Sequence, residues 1–283
     1  MKLHTKSSDR TFKLIELFKV TKNLNTYCTL NCKENEIYIQ VMDDSHVCLF
    51  NLTIQKNWFD GYEGENEVVS FHTSILVKIL SLYQPHAHVY FQTNPKNDYL
   101  EITLKYKDNT EKNFQIPLIN LDIYLLDSQY IDGSVEFMIK TKKMDKYVQE
   151  MLLFGDTMEM VCYNDNIYMN SHGDDGKYQL KIPYSTIEEL VLEEDVKLKV
   201  KIPLKYISII TKVGGVFDFL SIKIQKDAPF CISINDIDKD TNEELVKIDY
   251  YIAPKIEDDE ELSENYDEYD DENYDNLENE VIS

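Results

Sequence analysis

Up to residue 255 the chain is dominated by short runs in which Val, Ile, Tyr and Phe alternate with polar residues. They are EIYIQVM (36–42), HVCLFNLTI (46–54), HVYFQ (88–92), YLEITLKY (99–106), VEFMIK (135–140), NIYMN (166–170), KYQLKI (177–182), VKLKVKI (196–202), FLSIKI (219–224) and FCISI (230–234). A period of two puts alternate side chains on a buried sheet face, and the intervening Asn, Asp and Gly supply turns, so each run predicts a strand. Four stretches have a helical rhythm instead: 11–23, 73–83, 143–155 and 204–212. The pattern predicts an α+β chain with many short antiparallel strands and few helices.

The helices fall two in each half of the chain. Asn35-Glu36-Ile37-Tyr38 returns 130 residues later as Asp165-Asn166-Ile167-Tyr168, and acidic turns follow at Asp43-Asp44 and Asp174-Asp175. Lys78 and Lys205 separate the second helices of the two halves by a similar distance. Two similar units of roughly 125 residues are expected. Every helix carries lysine on its polar side. The first shows Glu16, Lys19 and Lys22 against inward Leu14, Leu17 and Phe18; the second shows Ser74, Lys78 and Ser81 against Ile75, Leu76, Ile79 and Leu80. The third shows Lys143, Lys146 and Gln149 against Met144, Tyr147, Val148 and Met151; the fourth shows Lys205, Ser208 and Lys212 against Tyr206, Ile207, Ile209 and Ile210. If the units share one sheet, their helices lie side by side and make one basic face, suited to a duplex touched through its phosphates without sequence preference.

Charge alters this picture only at the end of the chain. Net charge is −23, but Glu257 to Ser283 hold fourteen acids and no base, leaving −9 on residues 1 to 256. That tail is too acidic and too poor in aliphatics to pack, and is expected to be disordered. No apolar run reaches the ~18 residues a membrane helix needs, and the N-terminus lacks a signal-peptide core, so an intracellular protein without membrane attachment is expected. Five scattered cysteines without a CxxC pair fit a reducing compartment and read as small buried hydrophobes. Phosphate loops, nucleophile elbows, dinucleotide fingerprints and zinc spacings are missing, and His86 with His88 has no further ligand at suitable spacing. The expectation is no enzyme, no cofactor and no metal.

Two segments make the reading specific. Val41-Met42-Asp43-Asp44-Ser45-His46-Val47-Cys48-Leu49 and Tyr250-Tyr251-Ile252-Ala253-Pro254-Lys255-Ile256-Glu257-Asp258 resemble segments of the proliferating cell nuclear antigen family of DNA sliding clamps. Thr73-Ser74, Lys78-Ile79-Leu80, Leu121-Asp122, Phe154-Gly155-Asp156, Leu204-Lys205-Tyr206 and Thr211-Lys212 follow in the family's order, over about residues 3 to 258. The resemblance implies the DNA clamp fold: two similar domains, each with two helices packed on antiparallel sheets, and a closed homotrimeric ring with the helices lining its hole. The implied organisation is an N-terminal domain (1–118), an interdomain connector (119–133), a C-terminal domain (134–256) and the acidic tail (257–283).

Carried over residue by residue, the resemblance places Lys19, Lys22, Lys78, Lys143, Lys146, Lys205 and Lys212 on the channel wall, facing double-stranded DNA. Glu16, Ser81 and Gln149 stand where the family generally has bases, which implies a less positive channel. It also implies a client-peptide pocket beneath the connector, lined by Met42, His46, Val47, Leu49, Leu126, Pro229, Tyr251, Ala253 and Pro254, for short hydrophobic motifs of DNA polymerase and other enzymes. Tyr124, Leu125, Asp127 and Ser128 depart from the family's connector. Glu111 to Leu118 and Lys177 to Tyr184 are the expected ring-closing edge strands, each with a proline near its end. A clamp loader is the further partner implied, and the host nucleus or a cytoplasmic viral replication site the place of action. Three other readings remain open: a monomeric or dimeric viral processivity subunit, a checkpoint-clamp subunit, or an acidic interaction scaffold that never touches DNA.

Overall fold

A computed structural model describes residues 1–64, 66–93, 98–122, 124–127, 133–194 and 196–255. The first half runs β1 (Lys2–Thr5), α1 (Ser8–Leu24), β2 (Tyr27–Cys32), β3 (Glu36–Met42), β4 (Cys48–Gln55), β5 (Gly61–Glu63), β6 (Glu67–His72), α2 (Thr73–Leu80), β7 (His88–Thr93), β8 (Tyr99–Lys105) and β9 (Glu111–Pro117). The second half repeats that order as β10 (Val135–Lys140), α3 (Thr141–Met151), β11 (Thr157–Tyr163), β12 (Asn166–Gly173), β13 (Gly176–Pro183), β14 (Leu190–Leu192), β15 (Leu198–Pro203), α4 (Leu204–Ile210), β16 (Phe219–Ile224), β17 (Phe230–Ile237) and β18 (Glu244–Ile252). Even a short 3-10 turn recurs, after β4 (Lys56–Trp58) and after β13 (Tyr184–Thr186).

The sheets repeat as well. One sheet is ordered β5-β1-β7-β8-β9, another β13-β12-β11-β15, and a nine-stranded sheet is ordered β14-β10-β16-β17-β18-β4-β3-β2-β6. The nine-stranded sheet is therefore the second half's five-stranded unit joined to the first half's four-stranded unit at a β18–β4 seam. That seam is antiparallel from Val246 opposite Ile54 to Ile252 opposite Cys48, with Tyr250 edge-on to Phe50 at 6.1 Å. The same geometry leaves β9 and β13 as free edges.

Alternation in the sequence becomes burial in the fold. Ile37, Ile39 and Val41 of β3 point into the core while Tyr38, Gln40 and Met42 face outward. All five cysteines are free and buried, and burial pushes the thiols of Cys28, Cys32, Cys48 and Cys162 up to about 12.

The helix ends differ from the periodic reading. α1 begins earlier, at Ser8, because the Ser7 hydroxyl caps the Arg10 N–H. α2 stops at Leu80 and α3 at Met151, since the apolar residues beyond them lie in turns, and α4 tightens into 3-10 geometry over Thr211–Gly215, where two glycines weaken the α-helix. α2 and α4 start 131 residues apart, so Lys205 matches Ser74 and Lys78 matches Ile209; the two lysines are not repeat equivalents. The short strands β1, β5 and β14, and also β2, β6 and β11, are too brief or too continuously apolar to show alternation.

Candidate functional site

The helices pack side by side. α1 touches α2 on one side and α4 on the other, and α3 packs on α4, giving one row across both halves. Leu14, Leu17 and Phe18 of α1, Leu76 and Leu80 of α2, Met144, Val148 and Met151 of α3, and Leu204, Ile207 and Ile210 of α4 are all buried. Ile75, expected to point inward, is 36 % exposed because it lies on the edge of the α2 stripe.

All seven proposed lysines are exposed on this row, but their surroundings divide them. Lys19 pairs with Glu16 at 2.6 Å, Lys146 with Glu150 at 3.6 Å and Lys212 with Asp145 at 2.9 Å. Lys205 lies over the ring of Tyr206 at 4.4 Å and Lys143 over Tyr147 at 5.8 Å. Lys22 and Lys78 have no acidic partner among the described residues, so they hold their charge least compensated. Spacing cannot distinguish these classes, because Asp145 reaches Lys212 from a different helix.

On the opposite face of the nine-stranded sheet, the proposed pocket residues form a row perpendicular to the strands. Met42 lies opposite Leu49, and Leu49 opposite Tyr251. Pro229 immediately precedes β17, and the Ala253 N–H donates to the Val47 carbonyl at 2.8 Å, carrying the chain past the row toward Pro254. His46 occupies the exposed hairpin tip at φ 57°. Leu126 is brought in by Gln40, one outward position along β3 from Met42: its N–H donates to Gln40 Oε1 at 2.7 Å, and its carbonyl accepts from Gln40 Nε2 at 2.9 Å. Ser128 and the rest of 128–132 lie outside the described residues, as does the acidic tail.

Between the helix row and the sheet row stands Asp43. Read from sequence as half of an acidic turn, it is only 7 % exposed. Its carboxylate accepts from the N–H groups of Ser45, Val47 and Cys48 at 3.1, 2.8 and 2.7 Å, and from the Tyr206 hydroxyl at 2.6 Å. Burial raises this carboxyl, but the hydrogen bonds from Tyr206 and the three backbone donors outweigh it and hold the group below its ordinary value. Burial and the same contact push the Tyr206 hydroxyl up, so it stays the donor. Asp43 and Gln40 are the site residues that sequence reasoning passed over.

Residues 9–130 match the family model described as proliferating cell nuclear antigen, N-terminal domain. Over that part the chain is similar to the proliferating cell nuclear antigen family. It is 26 % identical over 268 residues to the "Probable DNA polymerase sliding clamp 2" of Paramecium bursaria Chlorella virus 1, covering 92 % of this chain and 93 % of that protein. It is 23 % identical over 253 residues to "Proliferating cell nuclear antigen 2" of Plasmodium falciparum, covering 86 % and 95 %. The protein of that name in Drosophila melanogaster is 21 % identical over 253 residues, covering 88 % and 96 %. The α+β content, the antiparallel sheets and the four α-helices among the described residues are those of the clamp fold. No helix of the described residues is long and apolar enough to cross a membrane.

Proposed function

We propose that this chain is a member of the proliferating cell nuclear antigen family and a DNA sliding clamp: a processivity factor that encircles duplex DNA as a homotrimer, tethers DNA polymerase and other enzymes through the cleft at Met42, Leu49 and Tyr251, and catalyses nothing itself. The observation that carries the reading is the match between the free edges β9 and β13 and the seam inside the chain. By repeat equivalence, β9 stands for β18 and β13 for β4. Transferring the Tyr250–Phe50 register sets Phe114 of one copy opposite Tyr178 of the next. It also sets Glu111 opposite Lys181, Asn113 opposite Gln179 and Gln115 opposite Lys177. Unlike charges and amides then face each other on the outer side, and two aromatic rings meet on the inner side.

Closing the chain head to tail through these edges curves the helix row into a wall around the hole, with three copies per ring as the family resemblance implies. Lys22 and Lys78, then Lys143 and Lys205, supply most of the attraction to phosphates. The paired Lys19, Lys146 and Lys212 supply less. A closed ring stays on DNA by topology, so a diffuse and partly neutralised surface suits sliding. A clamp loader would open the ring, and the protein would act inside the cell, in the nucleus or at a viral replication site.

The test is the solution mass by light scattering across a dilution series. A mass three times that of the monomer, stable on dilution, is expected. A monomer at all concentrations removes the ring from the reading.

A further inference from the structure

The outer face of the nine-stranded sheet carries a second row beside the apolar one. Gln40 on β3 lies opposite Asn51 on β4, Asn51 opposite Asp249 on β18, and Asp249 opposite Ser233 on β17. Two pairs along the row are bonded: Gln40 Nε2 lies 3.0 Å from Asn51 Oδ1, and the Ser233 hydroxyl donates to Asp249 at 2.9 Å. The row ends at the connector. There Gln40 presents its carboxamide to Leu126 as a strand presents a peptide unit, one acceptor and one donor engaging the N–H and carbonyl of a single residue across 86 positions of sequence. Gln40 Nε2 also lies 3.0 Å from the Tyr38 hydroxyl, and Asn51 is only 5 % exposed, so the carboxamide is held in place from behind.

We propose that Gln40 is a latch: a positioning residue that fastens the connector to the sheet at Leu126 and so fixes one wall of the client cleft. The inference rests on the cleft reading above. Met42 is the next outward residue of β3, so whatever holds Leu126 over Gln40 also sets the gap between the connector and the Met42–Leu49–Tyr251 row. A two-point bond to one residue restrains the connector's position along the strand as well as its height, which a single hydrogen bond or an apolar contact does not. A client peptide then meets a wall ordered in advance, and the cost of ordering it is not charged to binding. Asn51 acts one step behind, by orienting the carboxamide so that its oxygen faces the Leu126 N–H.

The test compares wild type, Gln40→Ala and Gln40→Glu by amide hydrogen exchange at Leu126 and by binding kinetics of a synthetic helical peptide with aliphatic and aromatic anchors. In Gln40→Ala, Leu126 exchange is expected to rise about fivefold or more, and the peptide to dissociate several-fold faster, with solution mass unchanged. Gln40→Glu keeps the acceptor for the Leu126 N–H and loses the donor, so it should fall between the two while preserving side-chain length. Leu126 exchange equal to wild type in both variants overturns the latch. Wild-type protein that does not bind the peptide overturns the cleft reading instead, and the exchange measurement still decides whether the latch exists.

Discussion

The Tyr206 hydroxyl donates a 2.6 Å hydrogen bond to Asp43 Oδ2, joining helix α4 of the second half to the β3–β4 hairpin of the first. The same hairpin carries Met42, His46 and Val47, and α4 carries Lys205. One buried contact thus fixes the β3–β4 hairpin and the helix row relative to each other. Tyr250 adds to it, its hydroxyl donating to the Tyr206 carbonyl at 3.1 Å.

Tyr206→Phe should cost roughly 1.5–3 kcal/mol, the range for a hydrogen bond to a charged group, because the carboxylate keeps its three backbone donors but loses the fourth. Asp43→Ala should cost more, since it strands the tyrosine hydroxyl and frees the hairpin. Urea unfolding at neutral pH measures both. Equal loss in the two variants would show that the backbone donors contribute nothing.

Asp43 also makes an acid-sensitive contribution. Its folded pKa lies below the unfolded value, so the stability it adds is fully present above about pH 4 and is lost as pH falls through the lowered folded value. Asp108, Asp156 and Asp238 are lowered too, so the difference between wild type and Asp43→Asn isolates the contribution. Urea midpoints from pH 7 to pH 3 should converge for the two proteins at the acid end and diverge above it.

The register inferred for the ring seam makes a reversible prediction. Lys181→Glu sets two acids opposite each other and should shift the trimer toward dissociation; adding Glu111→Lys should restore it. An exposed pair is worth ~0.2–1 kcal/mol, so the shift is up to about fivefold per seam. Phe114→Asp, at the aromatic pair, should give monomer at every concentration tested. Light scattering reads all three, and a double mutant no better than the single would contradict this register.

Among the lysines, the unpaired ones should matter most. Lys22→Ala and Lys78→Ala should each lower the salt slope of DNA association by about 0.9. Lys212→Ala should lower it less, because Asp145 already compensates that charge. Association with duplex DNA measured between low and moderate salt checks the ranking.

Much of this protein is written locally in its sequence. Alternation places β3, β8, β10 and β16 within a residue or so, and helical rhythm finds the four helices and which side of each is wet, because burial at periods of 2 and 3.6 needs only near neighbours. The recurrence of Ile37-Tyr38 at Ile167-Tyr168 exposes the duplication. Tertiary structure alone decided the rest. It buries Asp43 beneath Tyr206 from 163 residues away, couples Gln40 to Leu126 across 86, and neutralises Lys212 with an aspartate on another helix. It also leaves β9 and β13, the repeat counterparts of the two seam strands β18 and β4, as sheet edges among the described residues. Hydrogen bonds and ion pairs act over a few ångströms of space, and spacing along the chain carries no record of which distant residues the fold brings that close.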